Sequence, residues 1–146
     1  MKSIGVIHSP FTEKMQTPIQ PTLSQAVGQV EVFPEFADGL QDLEGFSHII
    51  LLYVFHQSDG YTLQVKPFLD DQLRGLFATR YPRRPNPIGL SVVQLLARRD
   101  NILEIEGVDV LEGTPLLDIK PYVPDFDVYT ETRTGWYETR DNIARR

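Results

Sequence analysis

Arg80, Arg83 and Arg84 are interleaved with Pro82, Pro85 and Pro87 in the segment FATRYPRRPNPIGLS, residues 77–91. A guanidinium is a planar fork of donors that matches carboxylates and phosphates, so this segment has the chemistry to hold an anion. Proline fixes φ and drives the residue before it into extended backbone. The prolines therefore hold the three arginines and Asn86 with little entropy left to lose on binding. A plainer reading is a rigid crossover whose prolines only prevent edge pairing. The arginine density favours a ligand.

A second group lies in EGTPLLDIKPY, residues 112–122, where a Gly-Thr-Pro turn leads into a strand carrying Asp118 and Lys120. Two residues apart on a strand, they share a face. If that face lines a closed barrel or a cleft, they are either a partly buried ion pair or an acid/base couple. A third group, Val54-Phe55-His56-Gln57, ends an apolar run and puts polar side chains at a strand tip. A lone histidine there is also compatible with a purely structural role. Tyr81 and Tyr122 could stack on bases or serve the core.

Composition narrows the chemistry. No cysteine is present, which excludes disulfides, thiolate metal sites and a cysteine nucleophile. The three histidines are far apart, without the i, i+4 pairing of a helical zinc site, so no metal is expected. A net charge of −6 opposes binding to phosphates in bulk. The charge is segregated, however: residues 1–73 and 100–146 each carry −6, whereas residues 74–99 hold six arginines and no acid. A local anion-docking surface is compatible with that distribution; scattered solvated arginines at strand ends are the alternative. No run approaches the roughly 18 apolar residues of a membrane span and no signal peptide is visible, so a soluble, cytoplasmic chain without membrane contact is expected.

The positioning elements are short strands. Ser3–His8, residues 29–33, Thr62–Phe68, Gly75–Ala78, Ile88–Leu96, Ile102–Val110 and Leu116–Ile119 are strand candidates, and Ser47–Phe55 reads as a strand buried on both faces. Asp100-Asn101 marks a hairpin turn. Only Asp38–Glu44 suggests helix, one or two turns. Many short strands with almost no helix predict an all-β chain, mostly antiparallel and closed into a small barrel over residues 1–124. Residues 125–146 form an extended tail with no separate domain, which Trp136-Tyr137 could fasten to the body or to a second subunit.

Four segments then carry a family resemblance: IGVIHSPF (4–11), LEGFSHI (43–49), FATR with RPNPIGLS (77–80 and 84–91), and GTPLLDIKP (113–121). Together they resemble the TsaA-like domain of the TrmO family from about Ser3 to Pro124. The resemblance implies an all-β barrel methyltransferase that uses S-adenosylmethionine. It further implies a homodimer with the cofactor near the interface, and a tRNA substrate with N6-threonylcarbamoyladenosine at position 37, methylated on N6. Carried over by position, the cofactor residues are Pro18, Ile19, Gln20, His56, Gln57, Arg80, Leu90, Glu106, Gly107, Val108 and Asp109. Arg83, Arg84, Asn86 and Tyr122 fall to the substrate. Asp118 is the candidate proton acceptor, oriented by Lys120.

The chain departs from the family pattern in three places. Ile19 stands where arginine is usual, Tyr81 where serine is common, and Arg83 where histidine or phenylalanine is common. Bacterial members also carry a further C-terminal domain that helps grip tRNA, and this chain ends shortly after the barrel. Two rival expectations remain: a non-catalytic barrel that senses S-adenosylmethionine or RNA, and a methyltransferase for a different substrate.

Overall fold

The computed structural model describes residues 1–13, 24–67 and 70–139. β-Branched and aromatic runs set between turn residues form the strands β1 (Gly5–His8), β2 (Val27–Val32), β3 (His48–Val54), β4 (Gln64–Val65), β5 (Arg74–Gly75), β6 (Ile88–Arg99), β7 (Ile102–Glu106) and β8 (Thr114–Pro121). A single α-helical turn, α1 (Pro124–Asp127), follows; the other helical stretches among the described residues are 3-10. No helix among the described residues is long and apolar enough to cross a membrane. Contacts gather the chain into two compact units, Met1–Gln57 with Pro87–Tyr122, and residues 58–86 with the chain from Val123 onward.

The first unit is a closed antiparallel barrel in the order β1-β2-β7-β6-β3-β8, with β8 pairing back onto β1. Closure leaves one face of every strand to the interior. Ile7, Val30, Val32, Ile49, Leu51, Val93, Leu103, Ile105 and Leu116 occupy that interior and are almost fully buried. In β3 the alternation is strict: Ile49, Leu51 and Tyr53 point in, while Ile50, Leu52 and Val54 are half-buried on the outside. The expectation of burial on both faces is therefore corrected. A one-layer barrel has an outside, and an apolar outer residue there does not belong to the core.

Other boundaries shift for local reasons. β7 stops at Glu106, short of Val110, because Gly107 adopts φ 98°. The Gly107 and Val108 amides then both donate to the Ala26 carbonyl, which ends the ladder. The hairpin at Asp100-Asn101 is present, with Asp100 in the left-handed region at φ 55°. Where one or two helical turns were expected over 38–44, the chain forms 3-10 turns at Pro34–Leu40 and Leu43–Gly45, separated by Asp42 at φ 73°.

In the second unit the alternation over 62–68 yields β4 alone among the described residues 62–67, pairing with β5, and residue 68 lies outside them. The strand expected at 75–78 ends at Gly75 and continues as a 3-10 turn over Leu76–Ala78, closed by Thr79, whose amide and hydroxyl both donate to the Leu76 carbonyl.

Gly89 on β6 lies opposite Tyr53, and a Cβ there would run into the Tyr53 and Phe55 rings, which meet edge-on at 5.5 Å. Glycine is thus the notch that lets Tyr53 lie across β6. Gly89→Ala should lower unfolding free energy by about 1–3 kcal/mol. Gly39→Ala, where a Cβ meets open space, should leave it within about 0.5 kcal/mol. Urea unfolding of both variants checks the difference.

Candidate cofactor and substrate site

The strand registers bring separate segments to one end of the barrel. β3 ends there at Val54, paired with Ile88 at the start of β6. Glu106, the last residue of β7, reaches only Gln94, so β6 from Ile88 to Val93 runs on past it toward the connection at 107–113. His56 and Gln57, Leu90, and residues 106–109 therefore gather at this end from three distant stretches of sequence. His56, Gln57 and Leu90 are exposed. Gly107 and Val108 are buried, with the Val108 side chain in the core, so these two can offer a ligand only backbone.

Asp109 is the chemically distinctive member. Its Oδ1 accepts a hydrogen bond from the Ser91 hydroxyl at 2.8 Å, and the Ser91 and Tyr53 hydroxyls are hydrogen-bonded at 2.7 Å. Both hydroxyl-bearing residues are nearly inaccessible. Burial pushes the Asp109 carboxyl up to about 6, against the opposing hydrogen bonds from Ser91 and from its own backbone. The chain Tyr53–Ser91–Asp109 thus runs from the barrel interior to its rim, with Gly89 making the room it needs. Ser91 and Tyr53 were not picked out from sequence. The available signal was a serine at inward parity in the apolar run IGLSVV, a position that demands a buried partner.

The connection carrying Asp109 is tied down at several points. Ser24 Oγ donates to the Val108 carbonyl and Ser9 Oγ to the Val110 carbonyl. The Glu112 carboxylate accepts the Ser9 amide and meets His8 Nδ1 at 2.9 Å, while His8 Nε2 lies 3.0 Å from Glu31. Hydrogen bonds to Glu31 and Glu112 raise the His8 pKa above its ordinary value. His8, held between Glu31 and Glu112, thus clips the connection to β1 and β2.

Asp118 and Lys120 are on the outer wall of the barrel, where Asp118 and Leu90 flank the same Leu52. Asp118 pairs with Leu52 and Lys120 with Ile50, both outward residues of β3. The two side chains therefore stand on the outer face of β8 as an ion pair of 3.0 Å, about half exposed, and Asp118 Oδ1 also accepts the Ile119 amide. The interior placement that would have made this a buried couple is not the one adopted. Ile50, Leu52, Val54, Ile88, Leu90 and Val92 share that outer face through the β3–β6 register, an apolar strip beside the pair. Tyr122 is half-buried and meets the His48 ring edge-on, with centroids 6.3 Å apart.

In the second unit, Arg84 is used by the loop itself. Its guanidinium donates to the carbonyls of Thr79, Tyr81 and Leu76 at 3.0, 2.9 and 3.3 Å and lies over the Phe77 ring. Arg74 is paired with Asp70 at 3.0 Å and rests on Trp136, whose indole N–H donates to the Ala78 carbonyl. That fastening of the tail by Trp136 is one of the two alternatives the sequence left open. Arg80, Arg83 and Asn86 are exposed. Pro18, Ile19 and Gln20 lie outside the described residues.

The sequence profile of the tRNA-methyltransferase O N-terminal domain matches residues 6–128. A probable S-adenosyl-L-methionine-binding protein of Pyrococcus abyssi is 56% identical over 138 residues, covering 94% of this chain and 75% of its own. The tRNA (adenine(37)-N6)-methyltransferase of Escherichia coli is 43% identical over 134 residues, covering 84% of this chain and 57% of its own. The crystal structure of TrmO from Pseudomonas aeruginosa superposes with a TM-score of 0.78 at 42% identity, over 92% of this chain and 60% of that one. The match runs through every strand of the barrel and the rim that gathers the candidate residues, and this chain belongs to the tRNA-methyltransferase O family.

Proposed function

We propose that this protein is an S-adenosylmethionine-dependent methyltransferase acting on N6 of adenosine 37 in tRNA, with N6-threonylcarbamoyladenosine as the form it accepts. The observation that carries this reading is the meeting of His56, Gln57, Leu90 and residues 106–109 at one barrel rim in a chain of this family. The names of the Pyrococcus and Escherichia relatives support the cofactor and the substrate. Residues 1–124 act as the working domain and 125–146 as its tail, in the cytoplasm where tRNA is found.

The rim suits the cofactor, which carries a sulfonium and an ammonium. One Asp109 oxygen is fixed by Ser91 and the carboxylate is short of compensation, so a cationic ligand relieves its burial. When bound, S-adenosylmethionine supplies an electrophilic methyl group. His56, Gln57 and Leu90 complete the cofactor's contacts at this rim, and Arg80 belongs to the cofactor set by family position, its guanidinium suited to a carboxylate. Pro18, Ile19 and Gln20 belong to the same cofactor set by family position.

The acceptor nitrogen in threonylcarbamoyladenosine is part of a urea. Its lone pair is delocalised, so removal of the N6 proton as the new bond forms is the demanding step. Asp118 takes that proton and Lys120 holds its orientation. Both stand on the outer face, next to the apolar strip containing Leu90. A second copy of the chain over that strip encloses them, which makes the working form a homodimer with the cofactor near the interface. Arg83 and Asn86 meet anionic groups of the tRNA, Arg84 keeps their loop in shape, and Tyr122 stacks at the far edge of β8.

Three outcomes follow from these roles. Radiolabelled S-adenosylmethionine should label tRNA from cells able to make threonylcarbamoyladenosine and leave tRNA from cells unable to make it unlabelled; no transfer to either pool, with cofactor bound, would point to a non-catalytic sensor. Asp118→Asn should reduce kcat at least about a hundredfold with the cofactor Kd unchanged; full turnover would remove Asp118 from the proton transfer. Cation binding needs the Asp109 carboxylate, so affinity should fall as pH falls through about 6, with Kd roughly tenfold weaker at pH 5 than at 7.5. Calorimetry at both pH values should show that dependence in wild type and none in Asp109→Asn. Stability has the opposite sign: a carboxyl raised above its ordinary value favours the folded state as pH drops, so Asp109 titration itself does not unfold the chain at pH 5.

A further inference from the structure

The second unit contains a cleft of about 390 Å³ lined by Tyr61, Gln64, Lys66, Leu73, Tyr81 and Arg83 among others. None of its lining residues is acidic, although the chain as a whole carries −6. Val65 is the buried residue among them, while Tyr61 and Tyr81 are 52% and 39% exposed. Lys66 and Arg83 are exposed, and among the described residues neither has an ion-pair partner. Two uncovered aromatic rings beside two unpaired cations, with no competing carboxylate, form a combination that desolvates poorly by itself and well around a planar anionic ligand.

The walls are held by the fold. On one side β4 pairs with β5, the Leu76 amide reaches back to the Leu63 carbonyl, and Thr62 Oγ1 donates to the Gln64 carbonyl. On the other side the Tyr81 amide donates to Thr79 Oγ1, and Arg84 gathers the carbonyls of Leu76, Thr79 and Tyr81. Arg84 thereby positions Tyr81 and Arg83 without needing to touch a ligand. Pro82 and Pro85 stiffen the same stretch.

We propose that this cleft is a nucleotide pocket, taking one unstacked RNA base against Tyr61 and Tyr81 with an anionic group on or beside that base held by Lys66 and Arg83. The inference rests on the reading that the protein acts on tRNA, and it assigns the recognition of one RNA base to residues of the second unit. The anion has two possible sources with one chemistry: a carboxylate carried by the modified base, or a phosphate flanking it. Stacking on an aromatic ring tolerates any base, so selectivity falls to the two cations.

The test uses the full chain and fluorescent seven-nucleotide single-stranded RNAs that differ at one position: adenosine, N6-threonylcarbamoyladenosine, or no base. Fluorescence anisotropy should show the abasic RNA binding about tenfold more weakly. Tyr61→Leu should cost about the same factor, and Tyr61→Phe should restore it. In Lys66→Gln/Arg83→Gln, loss confined to the threonylcarbamoyl RNA identifies the carboxylate as the anion. An equal loss for all three RNAs, with the salt slope reduced by about one, identifies a phosphate. Either result supports the pocket. Wild-type affinity of Tyr61→Leu and of the double variant for every RNA, with no penalty for the missing base, overturns it. Binding is read without methyl transfer: base-dependent binding by a protein that methylates no tRNA sinks the activity and leaves the pocket standing.

Discussion

Closure of the barrel is the constraint on which the rest depends. Once β8 pairs back onto β1, each residue of the six strands is committed to inside or outside, and neighbours across a ladder share that commitment. Tyr53 and Ser91 are sent inward, where two hydroxyls must satisfy each other and Asp109. Leu52, Leu90 and Asp118 are sent outward together. The buried hydroxyl pair and the outer strip are therefore two faces of one register, and a one-residue slip in β3 or β6 would exchange them.

Much of this was legible in the sequence. Period-two alternation and the Asp100-Asn101 turn placed the ladder strands within a few residues, and the Pro-Arg segment marked a preorganised loop. The failures have physical causes. Gly107 ended β7 through a backbone conformation that hydrophobic patterning cannot register. Residues 76–78 are apolar enough for a strand but coil into a 3-10 turn whose Leu76 carbonyl accepts from Arg84. The face chosen by Asp118 and Lys120 depended on the pairing partner, which spacing within one strand does not reveal. Ser91 closes the RPNPIGLS segment, but its chemistry arises only from Tyr53 and Asp109 meeting it in space.

Asp109 shows a familiar tension between folding and function. A carboxyl buried beyond what its hydrogen bonds compensate destabilises the fold at neutral pH, and such groups concentrate where a ligand later completes them. The anchoring of its connection by Ser9, Ser24 and the His8 clip keeps that carboxyl in place, so the strain is not relieved by the loop swinging into water.

Of the six arginines in the acid-free stretch, four are engaged among the described residues: Arg74 with Asp70, Arg98 with Glu44, Arg99 with Glu104, and Arg84 with loop carbonyls. The reservoir of positive charge that the sequence advertises is thus largely consumed in holding the protein's own shape. With most of that stretch held internally and a net charge of −6 around it, little remains there to draw polyanions in bulk, so random RNA would adhere weakly and leave quickly. On the proposed function, abundance of nucleic acid is then a small burden on the search, and dwell time would accumulate only where ring stacking and the exposed cations are satisfied together.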